Sequence, residues 1–232
     1  MKKHIPNILT CCNLLSGAVA VVMAFEGLFT WAFLLIILGA LFDFCDGASA
    51  RLLGVSSPIG KELDSLADLV TFGLAPSVML MQAIRLATAN STYEWGFWSL
   101  VCLLMAAFSA LRLAKFNIDT RQTDSFIGLA TPANALFWGS LIAAWPQLAS
   151  YAEWIPFVMV ALMLLSCWLL VSEVPFFSLK FHNFSWKENK GRYVFLIGCA
   201  LLIVVCTGLG HIRFAGCACI VWYVLAALIL RR

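Results

Sequence analysis

Residues 43–68 read DFCDGASARLLGVSSPIGKELDSLAD. They place four aspartates, Asp43, Asp46, Asp64 and Asp68, together with Arg51, inside a chain that is otherwise overwhelmingly apolar. Charge at a membrane edge is costly and by default marks a functional site. Read as helix, Asp43, Asp46 and Ala50 are spaced i, i+3, i+7 and share one face, while Asp64 and Asp68, at i and i+4, share a face of the next helix. Between them, Gly54-Val55-Ser56-Ser57-Pro58-Ile59-Gly60 is a turn-rich break that folds the second helix back on the first. Two helix ends then present four carboxylates to one point, which is a metal site in outline.

The rest of the chain sets the solvent. Of 232 residues, 62% are hydrophobic and 12% charged, with a mean hydropathy of +0.94. A soluble domain is closer to about 45–50% apolar and about 25% charged. This composition excludes a soluble globular domain and predicts an all-α, polytopic transmembrane bundle, because a helix satisfies its own backbone in lipid. Eight spans are expected, at about 8–25, 29–50, 64–87, 96–117, 131–149, 153–176, 193–210 and 212–230, each near the ~20 residues that cross a bilayer. The last two are separated by a short turn at Gly210 and His211 and read as a C-terminal helical hairpin over about 193–230, the alternative being a broken single span. With no internal repeat, residues 1–232 read as a single transmembrane domain.

Orientation follows from the cations. With the N-terminus in the cytoplasm, that side holds thirteen of the fifteen lysines and arginines: Lys2, Lys3, Arg51, Lys61, Arg112, Lys115, Arg121, Lys180, Lys187, Lys190, Arg192, Arg231 and Arg232. Only Arg85 and Arg213 fall on the other side. The positive-inside rule therefore predicts cytoplasmic termini and a cytoplasmic acidic stretch, as in a bacterial or archaeal cytoplasmic membrane. The basic start Met1-Lys2-Lys3 leads into an apolar run with no clear cleavage site, so that run is expected to be an uncleaved span. The long loop VSEVPFFSLKFHNFSWKENKGR carries lysines and aromatics suited to lipid headgroups. The nine cysteines sit mostly in apolar runs as small hydrophobes, and Cys217-Ala218-Cys219 lacks the partners of a zinc site. No nucleic-acid partner is expected.

Clustered Asp oxygens suit hard cations such as Mg²⁺ or Mn²⁺. Such ions leave coordination positions open to substrate phosphates, and a pair of them can clamp an in-line displacement at phosphorus. Gly47 and Gly60 let backbone approach a bulky ligand, and Arg51 adds a permanent cation for phosphate. A snorkelling Asp–Arg pair would explain one acid, but four on adjacent helix ends repel one another and call for cations. An ion or proton transporter would instead carry its acids near the midplane, in helices related by repeats. Near the N-terminus, Pro6 suits a first helical turn, and Asn7 and Thr10 are either caps or ligand contacts. Arg112 follows an apolar run so closely that burial and a pairing role are expected.

The run Asp43-x2-Asp46-Gly47-x2-Ala50-Arg51-x8-Gly60-x3-Asp64-x3-Asp68 resembles, at all eight fixed positions, the signature of the CDP-alcohol phosphotransferase family. Members are integral membrane enzymes that move a phosphatidyl or similar group from a CDP-linked donor to an alcohol and release CMP. The resemblance implies a homodimer and a two-ion site of Mg²⁺ or Mn²⁺ with Asp43, Asp46 and Asp64 as principal ligands. Asp68 would complete that site and take the proton of the alcohol. Gly47, Ala50, Arg51 and Gly60 would shape the nucleotide and phosphate pocket, with Asn7 and Thr10 as further contacts there.

IPNILTCCNLLSG, DSLADLVTFGLAPS, LRLAKFN, FIGLATPANA and VSEVPFFSLK further resemble the branch of that family that uses CDP-diacylglycerol and L-serine, and the resemblance, over about 5–180, implies that residues 1–232 are a single catalytic domain with its core there. One departure is that the branch reads GLPxPAA where this chain has Gly128-Leu129-Ala130-Thr131-Pro132-Ala133-Asn134, so the local turn and acceptor recognition are expected to differ. Serine is a zwitterion whose carboxylate needs a cation, and Arg112, then Lys115, are the candidates. A phosphorylated acceptor, glycerol 3-phosphate or an inositol phosphate, is the alternative that the Arg112–Arg121 cations leave open.

Overall fold

A computed structural model describes residues 4–55, 57–89, 95–119, 125–144, 154–177 and 189–229. Helix α1 (Ile5–Phe25) and helix α2 (Phe29–Leu53) form an antiparallel hairpin. A third rod follows, made of α3 (Pro58–Asp68), a π-helical segment (Leu69–Leu74) and α4 (Ala75–Ala87). The next contains α5 (Trp95–Trp98), a 3₁₀ turn (Ser99–Leu103) and α6 (Leu104–Ile118). Then come α7 (Thr131–Ala143), α8 (Ile155–Val171), α9 (Lys190–Gly208) and, after a 3₁₀ turn (Ile212–Phe214), α10 (Ala215–Ile229). Five stretches are long and apolar enough to cross a membrane, Ile5–Phe25, Phe29–Leu53, Pro58–Ala87, Gly96–Ile118 and Gly191–Gly208. The shorter α7, α8 and α10 bring the helical passes to the expected eight, and the protein is an all-α polytopic membrane bundle. Among the described residues the only departure is an antiparallel pairing of β1 (Ser125–Ile127) with β2 (Pro175–Phe177).

Three boundaries differ from expectation: the helix of the sixth span ends at Val171 rather than near 176, and two others lie nearer the N-terminus. The first helix begins at Ile5, with Pro6 in its first turn, and the third rod begins at Pro58 rather than near 64. Gly54 ends α2 in the left-handed region at φ 63, with Gly54 N–H and Val55 N–H closing on the Arg51 and Ala50 carbonyls. Ser57 caps the next helix, its Oγ accepting from Gly60 N–H at 3.0 Å, and Pro58 follows where no amide is needed. The reversal is thus confined to four residues, and Asp64 and Asp68 sit within the rod rather than at its tip. Lys2, Lys3, Arg121, Lys180, Lys187, Arg231 and Arg232, and the ends of the fifth and sixth spans between 145 and 153, lie outside the described residues.

The π-helical segment has an identifiable cause. Pro76 offers no amide hydrogen, and its ring would collide with the Phe72 carbonyl of a regular helix. The backbone widens instead, and Ala75 N–H reaches the Val70 carbonyl, five residues back.

In lipid, apolar burial drives little association, so close packing and internal hydrogen bonds hold such bundles. The core joins Ala20, Ala24 and Ile36 of the first hairpin to Phe72, Met79, Met105, Trp138 and Met163. Trp138 Nε1 donates to Ser166 Oγ at 3.1 Å. Gly139 and Ser140, small residues that permit close packing, are used within the chain: Gly139 lies against Phe33, and Ser140 Oγ donates to the Arg213 carbonyl at 2.6 Å. On α2, Leu41, Phe44 and Leu52 face outward and are exposed.

Candidate active site

The α1 face turned into the bundle is polar at one end and small at the other: Thr10, Asn13 and Ser16, then Ala20 and Ala24, are all buried. A helix in lipid turns its polar residues inward, so this stripe supplies donors to the acids opposite. Thr10 Oγ1 lies 2.6 Å from Asp46 Oδ2 and 3.0 Å from the Pro6 carbonyl. Asn13 Nδ2 donates to Asp68 Oδ1 at 3.1 Å. Thr71 Oγ1, from the π-helical segment, donates to the Asn13 carbonyl at 2.9 Å.

Close backbone approach makes this possible. A Cβ on Gly17 would stand 2.6 Å from Thr71 Cα and 2.8 Å from Thr71 N. A Cβ on Gly39 would stand 2.5 Å from Thr71 Cγ2 and 2.9 Å from Asn13 Oδ1. Thr71 is therefore wedged between α1 and α2, one turn from Asp68, and the wide π turn delivers it there.

Three of the four aspartates expected at one point, Asp43, Asp64 and Asp68, meet there, each offering an oxygen within 4.8 Å of the others. Asp46 is buried one turn along α2 beside them, outside that triad and bound to Thr10. At 4.8 Å two bare carboxylates repel by about 3.5 kcal/mol at an effective dielectric of ~20. Asp64 Oδ1 and Asn13 Oδ1 are buried without hydrogen-bond partners. An all-oxygen donor set with an orphaned buried carboxylate oxygen fits a hard divalent cation.

The remaining candidates surround this triad. Gly47 borders open space, with only Arg51 Nη1, at 3.7 Å, near where a side chain would begin. Arg51 itself is exposed, and Ala50 is half-buried at the end of α2. Gly60 faces Asn7, whose Oδ1 would lie 3.3 Å from a Cβ there. Lys61 Nζ donates to the Asn117 carbonyl, and Asn117 Nδ2 to Ser65 Oγ, both at 2.8 Å, which pins the end of α6 to α3. That join brings Arg112 close: 7% exposed, its guanidinium 5.3 Å from the Phe116 ring and within electrostatic reach of Asp68. Its Nε has no hydrogen-bond partner. Lys115 is exposed one turn on. Arg112 and Lys115 line a cavity of about 340 Å³ with Phe116, Asp119, Ser172 and Glu173.

The GLATPANA stretch turns at Gly128. Gly128 takes φ +77, and Ala130 sits at φ −67, ψ 137, where proline would also lie. Gly128 N–H donates to the Val174 carbonyl at 2.9 Å and Leu129 N–H to the Leu169 carbonyl at 3.0 Å.

Asn13, Thr71, Gly17 and Gly39 were not among the residues anticipated from sequence. The signal for Asn13 was its place three residues after Thr10 in an apolar run.

A CDP-alcohol phosphatidyltransferase family model matches residues 3–179. A Bacillus subtilis protein named CDP-diacylglycerol–serine O-phosphatidyltransferase is 38% identical over 130 residues, 56% of this chain and 70% of its own length. Proteins of the same name from Helicobacter pylori (37% over 134 residues, 56% of this chain) and Methanocaldococcus jannaschii (34% over 132 residues, 57% of this chain) are similar too. The matched region spans little more than half the length of those two relatives, 54% and 57%. A family match over most of the chain, and an aspartate triad assembled from that family's signature, make this protein a member of the CDP-alcohol phosphatidyltransferase family.

Proposed function

We propose that this protein transfers the phosphatidyl group of CDP-diacylglycerol to L-serine, giving phosphatidylserine and CMP. The observation that carries the reading is the buried Arg112, its Nε unpaired, lining a cavity and within electrostatic reach of Asp68. A cation so placed is suited to hold the carboxylate of an amino-acid acceptor beside the acid that takes its proton. Lys115, at the same cavity, reinforces it. The names of the relatives support the same acceptor.

In this reading the serine hydroxyl oxygen bonds to the phosphorus that carries the diacylglycerol oxygen. The bond from that phosphorus to the bridging pyrophosphate oxygen breaks, and CMP leaves with the electron pair. The hydroxyl proton passes to Asp68, whose Oδ1 is engaged by Asn13, so Oδ2 is the receiving atom. Two divalent ions, Mg²⁺ or Mn²⁺, held by Asp43, Asp46, Asp64 and Asp68, would supply charge neutralisation at the pyrophosphate when bound. Arg51 engages a phosphate, and Gly47, Ala50, Gly60, Asn7 and, through Asp46, Thr10 shape the nucleotide side. The whole chain serves as one catalytic domain with its acids at the cytoplasmic face, in a homodimer whose mass light scattering in detergent would measure.

The test is CMP release by purified protein given CDP-diacylglycerol and Mg²⁺ or Mn²⁺, with Asp68→Asn beside it. Serine-dependent release that vanishes in Asp68→Asn supports the reading. Release only with glycerol 3-phosphate or an inositol phosphate discards serine and keeps the family.

A further inference from the structure

The cavity beside Arg112 contains more than a carboxylate site requires. Its wall combines two cations, Arg112 and Lys115, with two acids, Asp119 and Glu173, and the apolar Phe116, Ile127 and Leu170. The acids come from separate elements: Asp119 follows α6, and Glu173 follows α8. Asp119 already has an interaction of its own, whereas Glu173 has no hydrogen-bond or ion-pair partner among the described residues.

The backbone on either side of Glu173, just past the end of α8, is held by residues 128 and 129. Gly128 N–H bonds the Val174 carbonyl on its far side, and Leu129 N–H bonds the Leu169 carbonyl on its near side. Gly128 approaches so closely that a Cβ there would lie 2.6 Å from the Leu170 carbonyl oxygen and 3.0 Å from that of Ser172. The β1–β2 pairing, Ile127 opposite Pro175, closes the clasp. Both α6 and α8 end at this cavity, so the negative ends of two helix dipoles add to the field of the carboxylate and favour a bound ammonium.

We infer that Glu173 binds the α-ammonium of the acceptor, opposite Arg112 on its carboxylate, and that this pair selects a zwitterion over a phosphorylated alcohol. The inference rests on the serine reading and extends it. A guanidinium alone would welcome any anion, including a phosphate ester. Carboxylates in the same wall turn a phosphate dianion away while completing the site for an amino acid. Selection against the wrong ligand through a like charge is an economical route to specificity.

The experiment compares wild-type protein, Glu173→Gln and Glu173→Asp in liposomes containing CDP-diacylglycerol and Mn²⁺. Acceptors are L-serine and 3-hydroxypropionate, which keeps the hydroxyl and carboxylate and lacks the ammonium. The readout is the ratio of kcat/KM for serine to that for 3-hydroxypropionate. It is expected to fall about thirtyfold in Glu173→Gln, the effect of one charge-assisted hydrogen bond, mostly through the KM for serine, and to recover partly in Glu173→Asp. A structural defect would lower both acceptors together and leave the ratio intact. An unchanged ratio with serine-dependent wild-type activity overturns the role of Glu173 and leaves the serine reaction standing. No serine-dependent release by wild-type protein overturns both.

Discussion

Replacing Gly17 by alanine tests whether the α1–Thr71 contact sets the geometry of Asp68. The new Cβ would stand 2.6 Å from Thr71 Cα and 2.8 Å from Thr71 N, where ordinary contact begins at 3.4 Å. Backbone atoms cannot swing aside, so α1 must retreat by about 1 Å. The Asn13–Asp68 hydrogen bond, now 3.1 Å, would open to about 4 Å and be lost. A misplacement of this size away from the chemistry costs about a hundredfold in kcat, with about 1–3 kcal/mol of stability lost to overpacking. The companion Gly39→Ala meets the Thr71 methyl group, Cγ2, at 2.5 Å and the Asn13 side-chain oxygen at 2.9 Å instead. Serine removes that methyl and keeps the hydroxyl, so Thr71→Ser should restore part of the roughly tenfold loss expected in Gly39→Ala, and none of the loss in Gly17→Ala. CMP release in detergent, with Tm recorded for each variant, gives both numbers. Full activity in Gly17→Ala, or equal rescue of both variants by Thr71→Ser, would refute the reasoning.

Thr10→Val removes the donor to Asp46 and should move metal activation about tenfold to higher Mg²⁺ or Mn²⁺; a titration of rate against free ion shows it, and an unmoved curve makes Thr10 a bystander. Chelation should abolish CMP release, with Mg²⁺ or Mn²⁺ restoring it and Zn²⁺ failing to, because the donor set is all oxygen. Asn13→Leu should lower kcat about tenfold or more while leaving the KM for CDP-diacylglycerol near its original value. Gly128→Ala carries a left-handed penalty of about 1–2 kcal/mol in addition to its clash with the Leu170 carbonyl. It should lower Tm and raise the KM for serine, and a variant with unchanged KM would uncouple the clasp from the acceptor.

The acids were legible because carboxylates inside an apolar chain have few other uses, and because i, i+3 and i+4 spacing fixes their faces whatever the tertiary packing. The number of passes was legible from hydropathy alone. Asn13 was harder to read: a single polar residue in an apolar span gains meaning only once Asp68, 55 residues on, is opposite it. The π turn left only Pro76 as a sign, since the 64, 68, 72 spacing continues smoothly through it. Ala130 shows the reverse case, in which a changed letter left the backbone where proline would have held it. Glu173 could not be placed because its position depends on a clasp from residues 125–129, joined through hydrogen bonds that no local periodicity encodes.

Leu41, Phe44 and Leu52 point outward from the same helix that carries Asp43 and Asp46. A reactant whose tails lie against that face never leaves the plane of the bilayer, while an amino acid comes from the water above it. The two reactants are then counted in different units, one as a fraction of the lipid surface and the other as a molar concentration. Diluting the membrane with inert lipid slows the encounter with the first and leaves the second untouched. In the proposed reaction the lipid product would stay in the plane as well and leave by lateral diffusion, while the nucleotide would go back to the water.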